Sequence, residues 1–295
     1  MLLENGHEVI ALDCFLNDSY DSSIKRRNAD FINSKKYNNL TWQNRDLRLD
    51  HLDDLIDEAE VIYNLAAMPG QIRSWDQFEL FVHSNLLTVS RILQSPKING
   101  KKFVQASTSS VYGEIPHGDE DYPLNPISPY GVTKLAAEKL ILAFHQAKNI
   151  DFKILRFFSV FGPRQRPDMA ISRFITAMTQ GKPIELYGNG QAARSFTYVA
   201  DCARATMNAG LRFSKHHVYN ISGKKTYSIR HVINEIANIL QIDPIIVDRD
   251  PRIGDQFITN GDNTKASADL DLYDSISLSE GIRLQIEWAL RQIPR

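Results

Sequence analysis

The feature that most constrains the fold is a rhythm. Short apolar runs that end on polar residues are separated by longer stretches of helical spacing. His7-Glu8-Val9-Ile10-Ala11-Leu12-Asp13, Glu60-Val61-Ile62-Tyr63-Asn64-Leu65-Ala66 and Lys102-Phe103-Val104-Gln105-Ala106-Ser107 read as buried strands, and residues 152–158 add another. Between them, residues 78–93 and 128–145 carry apolar side chains at helical intervals. Returning a chain to a parallel neighbour takes a long crossover, usually a helix, so this alternation predicts a doubly wound parallel sheet covered on both faces. The fold class is α/β.

After Gly162-Pro163 the rhythm changes. Helices are expected at 172–179, 201–212, 228–240 and 278–291, and short strands at 184–187 and 196–199. We expect a nucleotide-binding domain over residues 1–162 and a smaller C-terminal α/β substrate-binding subdomain over 163–295, with the ligand site in the cleft between them. The opening is unusual. Met1-Leu2-Leu3-Glu4-Asn5-Gly6 reads as a last helical turn capped by Gly6 and followed at once by a strand. In a doubly wound sheet a helix in that place follows a first strand and a glycine-rich turn, so the expectation is a sheet lacking both.

Composition removes several classes. The chain has 34 Lys and Arg against 35 Asp and Glu, so no basic excess points to nucleic acid or an anionic membrane surface. Cys14 and Cys202, far apart in sequence, form neither a metal-ligand pair nor a redox motif, and no metal is expected. No apolar run approaches the roughly 18 residues of a membrane span, which makes a cytoplasmic location the expectation.

One spacing carries chemistry. Of eleven tyrosines, only Tyr130 is followed by a lysine four residues on, at Lys134. On a helix the two share a face, and an ammonium there favours the tyrosinate form of a phenol that ordinarily titrates near 10. Taken alone, the pair also fits an ordinary helix surface. Its neighbour in the fold is the hydroxyl cluster Thr108-Ser109-Ser110, which follows the strand ending at Ser107 and so lies at the carboxyl edge where open α/β sheets place ligands. A turn that satisfies its own backbone is the plainer reading of that cluster.

Three ordered segments identify a resemblance. Ala106-Ser107-Thr108-Ser109-Ser110-Val111-Tyr112-Gly113, Ser128-Pro129-Tyr130-Gly131-Val132-Thr133-Lys134 and Leu155-Arg156-Phe157-Phe158-Ser159-Val160-Phe161-Gly162-Pro163-Arg164-Gln165 resemble the extended short-chain dehydrogenase/reductase family. Within it, the chain is most similar to NAD-dependent sugar-nucleotide epimerases of the UDP-glucose and UDP-glucuronate 4-epimerase type. The resemblance implies a Rossmann-like domain that binds NAD and a UDP-sugar substrate. It implies that Tyr130 is the acid/base, that Lys134 lowers its pKa and holds the nicotinamide ribose, and that Thr108 orients the sugar. Hydride would pass from C4 to NAD and return to the opposite face of a 4-keto intermediate.

The same resemblance places Asp13 on the adenosine ribose, Asp46 and Leu47 beside the adenine, Ala66 and Ala67 along the cofactor and Asn85 near it. Ser159 would face the sugar, and Arg194 and Arg252 would hold the diphosphate, a role suited to forked guanidinium donors. Ser109 and Ser110 stand where dehydratases of the family carry an Asp-Glu pair, which favours epimerisation. The family opens with a strand and a Gly-x-x-Gly-x-x-Gly turn that this sequence does not contain. A catalytically silent or truncated relative that binds sugar nucleotides without NAD is therefore the alternative, and another NAD-dependent sugar-nucleotide dehydratase or reductase a further one. Members of the family commonly form homodimers through the helices corresponding to 78–93 and 128–145.

Overall fold

The computed structural model describes residues 1–17, 19–114, 117–250 and 256–292. A 3-10 turn at Leu3–Asn5 ends on Gly6, whose φ of 81° lets its N–H reach the Leu3 carbonyl. The chain continues through β1 (Val9–Leu12), α1 (Ser22–Asn33), β2 (Leu40–Gln43), α2 (Asp53–Glu58) and β3 (Val61–Asn64). Helices α3 (Arg73–Asp76), α4 (Phe78–Val82) and α5 (Thr88–Gln94) follow, then β4 (Lys102–Thr108), β5 (His117–Gly118), α6 (Pro129–Lys148) and β6 (Asp151–Phe157). The second half consists of β7 (Ser159–Phe161), α7 (Ala170–Thr179), β8 (Ile184–Tyr187), β9 (Ala193–Tyr198), α8 (Val199–Leu211), β10 (Val218–Ile221) and β11 (Thr226–Ser228). It closes with α9 (Ile229–Leu240), β12 (Ile246–Arg249), β13 (Ile258–Gly261), α10 (Thr264–Leu270) and α11 (Leu278–Gln292).

The parallel sheet is present, in the order β10-β6-β4-β3. Strands β1 and β2 pair in parallel with each other and with no other described strand. The sheet is thus interrupted between β1 and β3, where each strand has a ladder on one side alone. Side chains bridge the interruption. Leu12 of β1 packs on the cluster of Leu52, Ile56, Val89, Phe103 and Phe152 that underlies β4 and β6.

The sequence boundary at 162/163 is crossed by elements of the second half. β10 pairs with β6, Val218 lying opposite Ile154, and Ala205 and Ala209 of α8 with Leu270 of α10 close over Val104, Leu155 and Tyr219. A parallel sheet needs helices on both faces, and this chain draws the second layer from beyond residue 162. Small residues permit the close fit: a Cβ at Gly210 would stand 2.1 Å from the Tyr63 hydroxyl. A separate core of Phe161, Ile171, Ile175, Leu186, Val232, Ile236 and Ile282 holds α7, α9 and α11 together.

Two local features position the site. Ser128 caps α6 by accepting from the Gly131 N–H, and Pro129 occupies the first turn, where its missing N–H is no loss. The helix expected over 78–93 runs on through Phe78–Gln94, with a π-turn at His83–Leu87 inside it. Within that turn Asn85 accepts from the Met68 N–H at 2.7 Å and donates to the Met68 carbonyl at 3.0 Å and to Thr133 Oγ1 at 3.1 Å. It thereby ties the loop after β3 to α6.

Candidate active site

The carboxyl end of β4 carries Thr108, and the chain then folds into a buried 3-10 turn, Ser109–Tyr112. The Ser110 N–H donates to Thr108 Oγ1 at 3.1 Å, Thr108 Oγ1 donates to Ser110 Oγ at 3.2 Å, and Gln71 Nε2 donates to the same Ser110 oxygen at 3.0 Å. Part of the cluster does satisfy its own backbone. Thr108 nevertheless also acts on the Tyr130 phenol, favouring its ionised form. The Phe81 ring lies edge-on to Tyr130, 6.1 Å between centroids. α6 comes this close because residue 131 is glycine: a Cβ there would lie 2.7 Å from the Ser110 carbonyl oxygen and 2.9 Å from Pro126 Cβ.

Lys134 follows one turn along α6 and is buried. Its Nζ donates to the Ala106 carbonyl at 2.5 Å. Burial pulls its pKa down to about 8, opposed by the negative charge of Glu138. Burial also pushes the Tyr130 phenol up, opposed by the neighbouring Thr108 and by the positive charge of Arg166. The Tyr130 phenol therefore stands above its ordinary value here rather than below it. At a dry interface each charged form loses its water, and here desolvation outweighs the neighbouring charges. Arg166, which acts on Tyr130 and is itself paired with Asp168 at 2.9 Å, is not among the site residues that the sequence points to.

The residues assigned to the cofactor lie along the carboxyl ends of β1, β2 and β3. Asp13 accepts from the Phe15 N–H at 2.7 Å. Leu65, Ala66 and Ala67 are exposed directly after β3, and Leu65 keeps 57% of its surface open. An acid at one strand end suits a ribose diol and an exposed apolar triplet at another suits a flat ring, so these residues fit NAD. Asp46 is held by Arg48, Nη2 to Oδ2 at 2.7 Å, which keeps its carboxyl below the usual range; Leu47 packs on the core. Asn85 is buried and acts on the Ala66-Ala67 segment through Met68. Among the described residues no three His, Cys, Asp or Glu are grouped to hold a metal ion.

β7 pairs with β9, which sets Ser159 opposite Phe196 and within two residues of Arg194. Arg194 Nη1 donates to the carbonyls of Ala193 and Phe257 at 2.9 and 3.2 Å. Ser195 is fully buried and shares a 2.7 Å hydrogen bond with Ser222. Arg252 lies outside the described residues. The hydroxyls of Thr108 and Tyr130 with a buried ammonium beneath them can hold a substrate oxygen and exchange its proton. The buried carboxylates nearest to them, Glu120 and Glu138, are engaged by Lys265 and Arg156.

Comparison with known proteins places this geometry. The chain is 35% identical over 292 residues to an uncharacterized UDP-glucose epimerase, YtcB, of Bacillus subtilis (strain 168), covering 98% of this chain and 92% of that protein. It is 33% identical over 299 residues to the UDP-glucuronate 4-epimerase of Thermodesulfobacterium geofontis (strain OPF15), covering 99% and 91%. The crystal structure of UDP-glucuronic acid 4-epimerase from Bacillus cereus, in complex with UDP-glucuronic acid and NAD, superposes with a TM-score of 0.93 at 34% identity, covering 99% of this chain and 94% of that one. The profile of one family matches residues 1–222, a span that takes in β4, α6 and the whole Thr108, Tyr130 and Lys134 constellation, and the chain belongs to that family, the NAD dependent epimerase/dehydratase family.

Proposed function

We propose that this protein interconverts the C4 epimers of a UDP-sugar through a 4-keto intermediate, with Tyr130 as acid/base. The observation that carries this reading is the packing of α6 at Gly131 against the turn that follows Thr108, which brings Tyr130 to that turn, one helical turn from buried Lys134 and with two serines rather than acids next to Thr108. Thr108 orients the C4 hydroxyl while Tyr130 takes its proton and later returns it. Lys134 gives one of its three donors to Ala106, and its positive charge eases proton loss from the phenol. NAD, when bound, supplies the acceptor for the hydrogen that leaves C4. Asp13, Ala66 and Ala67 would hold it, Asp46 and Leu47 would border its adenine, and Lys134 would also reach its ribose. Ser159 and Arg194 would bind the sugar nucleotide from the second half of the chain.

The test is incubation with NAD and either UDP-glucose or UDP-glucuronate, followed by proton NMR at C4. A C4 epimer is expected. A 6-deoxy-4-keto product would move the chain to the dehydratases. Binding of the sugar nucleotide with no turnover would favour the silent reading.

A pH dependence follows from Lys134. It is protonated below about 8 and neutral above, so activity should decline as pH climbs through that value. The Lys134→Met enzyme should show low activity and no such step, measured by initial rates from pH 6 to 10.

Helices α3, α4 and α6 with the π-turn present Trp75, Phe78, Leu87 and Val132 to solvent, at 63%, 46%, 41% and 46% exposure. We assign this apolar layer to a homodimer contact. Light scattering should report a dimer for the parent chain and a monomer for Trp75→Glu/Val132→Glu. No described helix is long and apolar enough to cross a membrane, and Cys14 and Cys202 are free thiols; we place the protein in the cytoplasm.

A further inference from the structure

Beneath Tyr130 lies an ionic cluster that the reaction itself does not use. Glu138, one turn beyond Lys134 on α6, is 2% exposed, and Arg156 on β6 is 4% exposed. Arg156 Nη2 donates to Glu138 Oε2 at 2.8 Å, and its Nε reaches both carboxylate oxygens at 3.2 and 3.3 Å. Ser107, the residue before Thr108, donates its hydroxyl to Glu138 Oε1. On its other side Arg156 Nη1 donates to Tyr112 Oη at 2.8 Å and to the Glu120 carbonyl at 3.0 Å. Tyr112 in turn donates to Asn220 Oδ1 at 2.7 Å. One pair of opposite charges therefore touches β4 beside Thr108, the end of the turn after it, and the helix that carries Tyr130.

A buried ion pair is a weak source of net stability, because both charges lose their water. Its directed hydrogen bonds, by contrast, fix geometry. We propose that Arg156 and Glu138 are positioning residues for the reaction: by tying Ser107 and Tyr112 to α6 they fix the placement of Tyr130 against the turn that follows Thr108. This rests on the reading of Tyr130 as acid/base. Neither residue touches substrate in this account, so their removal should lower kcat and leave KM nearly alone.

The experiment compares Glu138→Gln, the double variant Glu138→Gln/Arg156→Met and Ser107→Ala. Glu138→Gln strands the arginine charge and should lower both the melting temperature and kcat. The double variant removes both charges, so its melting temperature should return toward that of the parent while kcat stays down by about tenfold or more and KM shifts by less than about twofold. Ser107→Ala, which cuts only the tie to β4, should melt like the parent with kcat down by roughly threefold to tenfold. Recovery of kcat together with the melting temperature in the double variant would overturn the proposal, as would parental kcat in Ser107→Ala. A second readout is independent of turnover. Absorbance of tyrosinate, taken as the difference between each protein and its Tyr130→Phe counterpart, should show the phenol titrating at higher pH in the variants, since the neighbouring Thr108 favours its ionised form. An unmoved titration would sink the positioning role. A moved titration in a protein inert toward UDP-sugars would keep that role and sink the acid/base reading.

Discussion

Tyr130→Phe should lower kcat for C4 epimerisation by about 10²–10⁴-fold, the range that a positioned proton-transfer group contributes. The melting temperature should fall little. The change removes one hydroxyl from a half-buried ring, and the neighbouring Thr108 still bonds Ser110. The Phe81 edge contact depends on the ring and survives. Initial rates with UDP-glucose and UDP-glucuronate, beside a thermal melt, check both halves. A variant that keeps more than a tenth of parental kcat would remove Tyr130 from the reaction. A collapse of the melt with kcat would mean that the phenol is structural.

Gly131→Ala tests the same contact from the backbone. In an ordinary helix interior this change stabilises by about 0.5–1 kcal/mol, because alanine has less freedom to lose. Here the added methyl would meet the Ser110 carbonyl oxygen at 2.7 Å and Pro126 Cβ at 2.9 Å. Overpacking of that kind costs about 1–3 kcal/mol, so the sign should reverse and the melting temperature drop by several degrees. The larger effect should be on rate. α6 must back away from the Ser109–Tyr112 turn, and a displacement of about 1 Å between reacting groups can cost roughly 10²-fold. A higher melting temperature with full activity would show that the turn yields and that the close approach is incidental.

What sequence alone could reveal followed the strength of local signals. The run 102–107 is almost wholly buried in β4, and Ser128-Pro129 is a start signal for α6, so the elements that carry Thr108, Tyr130 and Lys134 could be placed from sequence. β2 passed unseen because Leu40–Gln43 is short and alternates in burial, with Thr41 exposed. β10 escaped for another reason. Its four residues each pair with a β6 residue 64 positions away, and no local pattern announces a strand that joins a distant sheet. The π-turn was hidden because the apolar spacing of 78–93 continues through it, while its cause is the reach of Asn85 to Met68 and Thr133. The tilt of Lys134 toward Ala106 and the pairing of Glu138 with Arg156 depend on how α6 packs across β4 and β6, which one residue spacing does not encode.

The interruption between β1 and β3 bears on how the molecule opens. Among the described residues no ladder crosses it, and β1, α1 and β2 meet the rest through side-chain contacts such as Leu12 on the central cluster and the Arg164 guanidinium 3.8 Å from the Phe31 ring centroid. Units fastened in that way unfold locally at lower free energy than strands inside a continuous sheet. Amide hydrogens of Val9–Leu12 and Leu40–Gln43 should exchange well ahead of those in Lys102–Thr108 and Asp151–Phe157. Asp13 rides at the end of β1, so a dinucleotide gripping it would bind the closed form alone and slow exchange throughout that lobe by mass action. Affinity for the dinucleotide would then be reduced by the fraction of molecules open at any moment, linking the thermodynamics of one loosely fastened lobe to a reaction that takes place on β4 and α6.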